Sequence, residues 1–255
     1  MNILIGHTGL IGETLKEKIN FDFVYNSKNI SNFDKQVSNG NNLWLSCLPA
    51  TKWLVNKNLQ EDIQNINFLI NILTKKNYNN VFLFSTIDVY NDSPSLVNEN
   101  YFPNIKELSY GSNRYFFEKL VDKFLEYNNL KIFRLPAVFG KKIKKNILYD
   151  LINGNEINKI KSNSSYQWYN LENLYDDVLF YNSNYRDDKI FNFFNEPIPT
   201  IEILNFFPDY INQVEKNNIP IEYNYTTKFK KNGYFKSKEG TLTEIKKFIN
   251  EFSVK

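Results

Sequence analysis

The sequence is poor in the residues that build disulfides and zinc sites. Its 255 residues include one cysteine, Cys47, and one histidine, His7. A single cysteine excludes an intrachain disulfide. Without a Cys/His cluster at ligand spacing, a zinc centre is not expected. Glycine and proline are sparse, at 9 and 8 residues, and neither an internal repeat nor a disordered linker is visible. No apolar run approaches the roughly 20 residues of a membrane span. Neither sign of charge dominates: the formal net charge is +3, too small to argue for a nucleic-acid partner. Met1 leads straight into an apolar run, with no basic region or cleavable apolar segment ahead of it. The expected setting is soluble, reducing and cytoplasmic.

What the chain does have is a repeating pattern of short apolar runs and longer amphipathic stretches. Asn2–Ile5, Phe21–Tyr25, Leu43–Leu48, Val81–Phe84 and Lys131–Leu135 are the runs. Between them, Leu10–Ile19, Leu59–Lys75 and Tyr110–Tyr127 read as helices. Leu59, Ile63, Ile66, Ile70 and Leu73 share one expected inward face, and Phe117, Leu120, Val121 and Phe124 another. Such alternation indicates a parallel sheet covered on both faces. The predicted fold is α/β, a Rossmann-like doubly wound parallel sheet with a small C-terminal mixed substrate-binding region. Residues 1–140 form the expected dinucleotide-binding core, and 141–255 mainly the substrate region, with some segments returning to the core. Beyond Gly140 the pattern weakens. Ile221–Lys231 reads as an edge strand or a long loop, and Thr241–Phe252 as a helix.

The first strand runs into Gly6-His7-Thr8-Gly9-Leu10-Ile11-Gly12, a G-x-x-G-x-x-G turn opening a helix. Gly6 permits a tight turn, Gly9 leaves room for a pyrophosphate, and Gly12 lets the helix pack on the strand. The helix start offers free N–H groups and the positive end of its dipole. Gly6, Thr8, Gly9, Leu10, Ile11 and Gly12 are therefore candidate dinucleotide-binding residues. The second run ends in Asn26-Ser27-Lys28, with no carboxylate for ribose hydroxyls. Asn26, Ser27 and Lys28 thus point to a 2′-phosphate, and NADP is the expected cofactor, with NAD the alternative. Cys47 and Leu48 end the third run and are further cofactor-binding candidates.

Val81–Phe84 leads into Ser85-Thr86-Ile87-Asp88-Val89-Tyr90. Ligands of doubly wound sheets bind beyond the carboxyl ends of the strands. That places Ser85 and Thr86 toward a nicotinamide and Asp88 toward a substrate. Tyr110 and Arg114, four apart on a helix, share a face. A cation there would lower the tyrosine pKa and fit it for acid/base work near neutral pH. Asp92 and Glu99 flank the loop after Thr86 and read as surface residues.

The pieces GHTGLIG (6–12), STIDVY (85–90), YGSNR (110–114), FRLPAVFG (133–140) and YDDV (175–178) together resemble the extended short-chain dehydrogenases/reductases of the NAD-dependent epimerase/dehydratase type, which act on nucleotide sugars. The resemblance implies a catalytic set of Thr86, Tyr110 and Arg114, with Arg114 where the family has lysine. It implies that Pro136 lies at the cofactor, and that Val138, Lys141 and Trp168 lie at the substrate. The implied function is an NAD(P)-dependent reductase or epimerase of a nucleotide-linked keto sugar. The departures are specific. Ile87 and Asp88 replace the Asp-Glu of the family's dehydratases. There is no histidine besides His7 for the double epimerisation of the GDP-fucose synthase branch. Arg114 and the shortened substrate region also leave open a cofactor-binding relative that senses or scaffolds without turnover. A homodimer through the Leu59–Lys75 and Tyr110–Tyr127 helices is a further implication.

Overall fold

A computed structural model describes residues 1–215 and 219–253. Along the chain, β1 (Asn2–Ile5) is followed by α1 (Leu10–Leu15), β2 (Phe23–Tyr25), α2 (Phe33–Gln36), β3 (Asn41–Leu45), α3 (Lys52–Val55), α4 (Leu59–Leu73) and β4 (Asn77–Thr86). Next come α5 (Tyr110–Phe124), β5 (Glu126–Leu135), β6 (Ala137–Phe139), α6 (Ile147–Asn153), β7 (Ser165–Tyr166), β8 (Trp168–Asn170) and α7 (Leu174–Asn184). The last are β9 (Ile190–Asn192), β10 (Ile198–Pro199), α8 (Thr200–Leu204) and α9 (Lys238–Ser253). None of the described helices is long and apolar enough to cross a membrane.

The chain divides into two compact units. The first comprises Met1–Ser93, Phe102–Arg134 and Leu174–Phe191. It holds a six-stranded sheet of order β2-β1-β3-β4-β5-β9. β1 pairs in parallel with β2 and β3, and β3 with β4. This is the expected Rossmann-like, doubly wound α/β fold. The chain passes from β1 to β2 on one side and returns to β3 on the other, so the switch point lies between β1 and β3. Between β2 and β3 only a 3-10 turn (Ile30–Asn32) and one-turn α2 intervene, and the sheet ends at β2.

The two faces of the sheet differ in chemistry because side chains alternate along each strand. One face carries Ile3, Ile5, Leu43, Leu45, Val81, Leu83, Leu130 and Ile132, packed with Ile66, Leu69, Ile70 and Leu73 of α4 and Phe117 and Val121 of α5. The other carries an aromatic row. Trp44 lies 4.3 Å from Phe82, Phe84 lies 5.9 Å from Phe133, and Phe133 lies 5.6 Å from Phe191. Two expectations about helix faces are corrected. The inward face of α4 is rotated so that Asp62, not Ile63, is buried, because Asp62 is in phase with Ile66, Leu69 and Leu73. On α5, Phe124 is exposed and Glu118 is buried.

Lys131, in the middle of β5, is fully buried. Its ammonium donates to the carbonyls of Tyr185, Arg186 and Asp188 at 2.8, 2.8 and 2.7 Å. These oxygens lie just past α7, where a cation is favoured by the helix dipole. Lys131→Met keeps the stem but strands the carbonyls. It is expected to lower stability by at least about 2 kcal/mol, read as a shift of the urea midpoint at constant m-value.

The second unit comprises Pro94–Tyr101, Leu135–Asn173 and Asn192–Lys255. β6 pairs in parallel with β8, and β10 antiparallel with β7. Residues 221–231 form a loop, not a strand. Buried Gln167 fixes it, donating to the carbonyls of Asn195 and Tyr225 and accepting from the Tyr225 N–H at 2.9 Å. Glu99 is not a surface residue. It is buried and accepts from the Asn192 N–H, the Thr227 hydroxyl and the Lys228 N–H at 2.7, 2.7 and 2.9 Å. Burial raises its pKa against the pull of these donors.

Candidate active site

The glycine turn sits at the switch point. Gly6 has φ +93°, and a Cβ there would stand 2.2 Å from the Ser46 carbonyl oxygen. A Cβ on Gly12 would stand 2.3 Å from the Gly6 carbonyl oxygen. Both glycines are therefore required by the fold itself. Gly9 differs: its nearest neighbour would be the Gly6 carbonyl oxygen at 3.5 Å, an ordinary contact. Its backbone is extended, at φ −79° and ψ 164°. The fold therefore gives no reason for glycine at this exposed position, whereas an approaching ligand would. Thr8 and Gly9 are exposed, and Leu10 and Ile11 half-buried. Cys47 and Leu48 follow Ser46 at the end of β3. Burial pushes the Cys47 thiol up to about 12, so any contribution from this residue is shape, not thiolate chemistry.

After β2, Asn26 is committed within its own loop. Its Oδ1 accepts from the Lys28 N–H at 2.9 Å, and its amide group lies 3.1 Å from the His7 ring nitrogen. The Asn26 side chain thus shapes the turn and is not turned out toward a 2′-phosphate. Ser27 and Lys28 are exposed beside it. His7 has a lowered pKa, from burial and then from Lys16, which keeps the ring neutral.

Thr86 ends β4 and caps the short turn Ile87–Tyr90. Its Oγ1 accepts from the Asp88 N–H at 3.2 Å and donates to Asp88 Oδ2 at 3.3 Å. The other carboxylate oxygen of Asp88 accepts from Lys52 Nζ at 2.7 Å. A Cβ on Gly111 would lie 1.9 Å from the Asp88 carbonyl oxygen, so glycine allows α5 to close directly on this turn. That contact brings the start of α5, with Tyr110, beside Asp88. The helix start is itself well held: Ser109 and Ser112 form a capping box, and the Tyr110 N–H donates to Asn56 at 2.8 Å.

Arg114 does lie over the Tyr110 ring, with its guanidinium carbon 4.5 Å from the ring centroid. Its charge is engaged elsewhere. The guanidinium donates to both oxygens of buried Asp62, at 2.7 and 3.2 Å, and to the Pro49 carbonyl at 2.7 Å. Asp62 also accepts from Asn113 at 2.9 Å. The expectation of a lowered tyrosine pKa is corrected. Burial raises it, Arg114 opposes this, and Asp88 and Asp62 raise it further, so the net direction is up.

Ser85 is likewise turned inward. Its hydroxyl donates to Glu118 at 2.5 Å, not toward the strand ends. Glu118 also pairs with Arg134, which donates to it at 3.0 and 2.6 Å and to the Tyr90 hydroxyl at 2.5 Å. Arg134, Glu118 and Tyr90 are all at most 2% exposed. Asp62, Glu118, Arg134 and Lys52 were not among the residues expected from the sequence.

In the second unit, Pro136 is buried, Val138 is half-buried, and Lys141 is exposed and paired with Glu172 at 3.2 Å. Trp168 is 1% exposed, a core residue and not an open stacking surface. Its carbonyl accepts from Asn195 at 2.6 Å.

Compared by sequence, the chain matches no family model and no curated protein. Compared by structure, it is similar over its whole length to several sugar-nucleotide enzymes. MoeE5 in complex with UDP-glucuronic acid and NAD aligns with TM-score 0.76 and 13% identity, over 99% of this chain and 98% of that one. The dTDP-4-dehydrorhamnose reductase of Yersinia enterocolitica aligns with TM-score 0.70 and 13% identity, over 98% and 99%. The chain shares their fold. The UDP-glucose 4-epimerase of Thermus thermophilus in complex with NAD aligns with TM-score 0.67 and 12% identity, over 99% of both chains. At such identities the likeness carries the fold and nothing finer.

Proposed function

We propose that this protein binds a nicotinamide dinucleotide, NADP or NAD, and reduces or epimerises a nucleotide-linked keto sugar. The observation that carries the reading is Gly9: a glycine at the switch-point turn whose missing side chain leaves space that the fold does not use. Gly6, Thr8, Gly9, Leu10, Ile11 and Gly12 would hold the dinucleotide, with Ser27 and Lys28 nearest the adenosine ribose. When bound, the group supplies or accepts hydride at its nicotinamide. The protein's own part is to hold the sugar oxygen and manage its proton. Thr86 is half-exposed at the end of β4, where ligands of such sheets bind. Tyr110 keeps its proton, since burial raises its pKa. A protonated phenol donates a hydrogen bond to a carbonyl oxygen that gains negative charge, which favours the reductive direction.

The choice of substrate class is prompted by MoeE5, a protein of the same fold that holds UDP-glucuronic acid and NAD. The outward faces of α4 and α5 carry exposed Phe68, Phe116 and Phe124, in keeping with a homodimer through these helices. We extend the reading to a cytoplasmic setting, which accords with a single free, half-buried cysteine. The alternative, a dinucleotide-binding protein without turnover, is favoured by one observation, the commitment of Arg114 to Asp62. The two readings separate when the protein is given NADPH carrying deuterium at the transferable position and a panel of dTDP- and UDP-linked 4-keto sugars. Deuterium appearing on a sugar carbon supports the enzyme. Dinucleotide binding with no deuterium transferred supports the alternative.

A further inference from the structure

We propose that Lys52 delivers the proton of the reaction, through Asp88 and Thr86, to the sugar oxygen; this rests on the function proposed above. Three observations lead to it. First, the cation beside Tyr110 cannot serve as a proton source. Arg114 is a guanidinium, which stays charged in proteins, and it is held by Asp62 and the Pro49 carbonyl. Second, Tyr110 is only 7% exposed, so a proton given up there is not readily replaced from water. Third, a continuous polar chain leads from solvent to Thr86. Lys52 Nζ lies 2.7 Å from Asp88 Oδ1, and Asp88 Oδ2 lies 3.3 Å from Thr86 Oγ1. The Lys52 side chain is 41% exposed and that of Asp88 12%.

The arrangement is built by the chain path after β3. Pro49 turns the backbone, and α3 starts at Lys52, with the Leu54 and Val55 N–H groups donating to the Thr51 carbonyl. This aims the lysine at the turn after β4.

With a reduced dinucleotide bound, the carbonyl carbon would gain hydride from it, and the sugar oxygen would gain a proton from the Thr86 hydroxyl. The Lys52 ammonium protonates Asp88 at Oδ1, the carboxyl turns to present that proton to the Thr86 oxygen, and the neutral amine regains a proton from water. The ketone becomes an alcohol, and every protein group returns to its starting state. Lys52 and Asp88 act through Thr86 and are positioning residues. An amine suits this task because, unlike Arg114, it releases and regains a proton.

Chemical rescue of the loaded enzyme tests the inference, with whichever sugar of the 4-keto panel is turned over. Lys52→Ala is expected to lower kcat about 100-fold while NADPH affinity stays within about twofold. Ethylamine and its fluorinated analogues should restore rate to Lys52→Ala in proportion to their basicity, an effect that a merely structural lysine would not show. Lys52→Met, which keeps the stem, should be equally slow with an unchanged melting temperature. Wild-type turnover in Lys52→Ala, or a slow variant that no amine restores, overturns the inference and leaves the proposed function standing. If NADPH binds but the unaltered protein turns over no member of the panel, the proposed function falls and this inference with it.

Discussion

Glu118→Ala is expected to be among the most damaging single substitutions in the chain. It would leave the Arg134 guanidinium, 1% exposed, without its carboxylate. Removing one partner of a buried pair costs about 3–5 kcal/mol, because the remaining charge stays desolvated. That is a large part of the roughly 5–15 kcal/mol that holds a typical domain together. The loss extends to the neighbours. Ser85 would lose its acceptor, and Arg134 would be left with the Tyr90 hydroxyl. For a chain of this size the melting temperature should fall by about 6–20 °C. A double replacement, Glu118→Leu with Arg134→Met, should recover much of the loss, since burying two matched apolar groups avoids the stranded charge. Calorimetry of the two singles and the double checks this directly. A single variant that melts like the parent would show that the cluster is not closed as described.

Tyr110→Phe is expected to have the largest effect on turnover with little effect on stability. The Tyr110 ring packs under Arg114 and against the turn after β4, and phenylalanine preserves that packing. What is lost is one hydrogen-bond donor to an oxygen that becomes negative during hydride transfer. Removing such a donor costs about 10²–10³ in kcat, or roughly 2.7–4 kcal/mol of transition-state stabilisation. The loss should appear in kcat and kcat/KM alike, because the bond strengthens as charge develops. Arg114→Lys gives the complementary result. Lysine cannot reproduce the two-pronged contact with Asp62, so stability should fall even if the tyrosine remains in place. Retained turnover in Tyr110→Phe would remove the tyrosine from stabilisation of the sugar oxygen.

The sheet was legible because apolar runs alternate with amphipathic helices along the chain, and because Gly6 and Gly12 are demanded by backbone sterics that sequence context exposes. The buried charges were harder to see. Asp62 and Glu118 lie on helices, where a charged residue is ordinarily read as facing water. Their signal was indirect. Lys131 and Arg134 interrupt a strand expected to be covered on both faces, and such residues need buried partners. Asp62 is also in helical phase with Ile66 and Leu69. The side chains of Asn26 and Ser85 were misdirected because their partners, His7 and Glu118, are distant in sequence. Lys52 lies on a one-turn helix, too short for any periodicity to mark which way it points. The choice between the faces of α4 turned on one residue, Ile63 or Asp62, that both phases accommodate.

A fluorescence titration of NADPH and NADH against the unaltered protein and Gly9→Val decides whether the Gly6–Gly12 turn holds a dinucleotide. The Gly9 backbone is extended and a Cβ there would make only ordinary contacts, so valine should leave the melting temperature nearly unchanged. Binding should weaken by at least about tenfold, or roughly 1.4 kcal/mol, because the side chain fills the space reserved for the pyrophosphate. Gly12→Ala is the contrasting control, since its Cβ would meet the Gly6 carbonyl oxygen at 2.3 Å and the fold itself should suffer. Dinucleotide bound equally well by Gly9→Val, or by neither protein, would contradict the account.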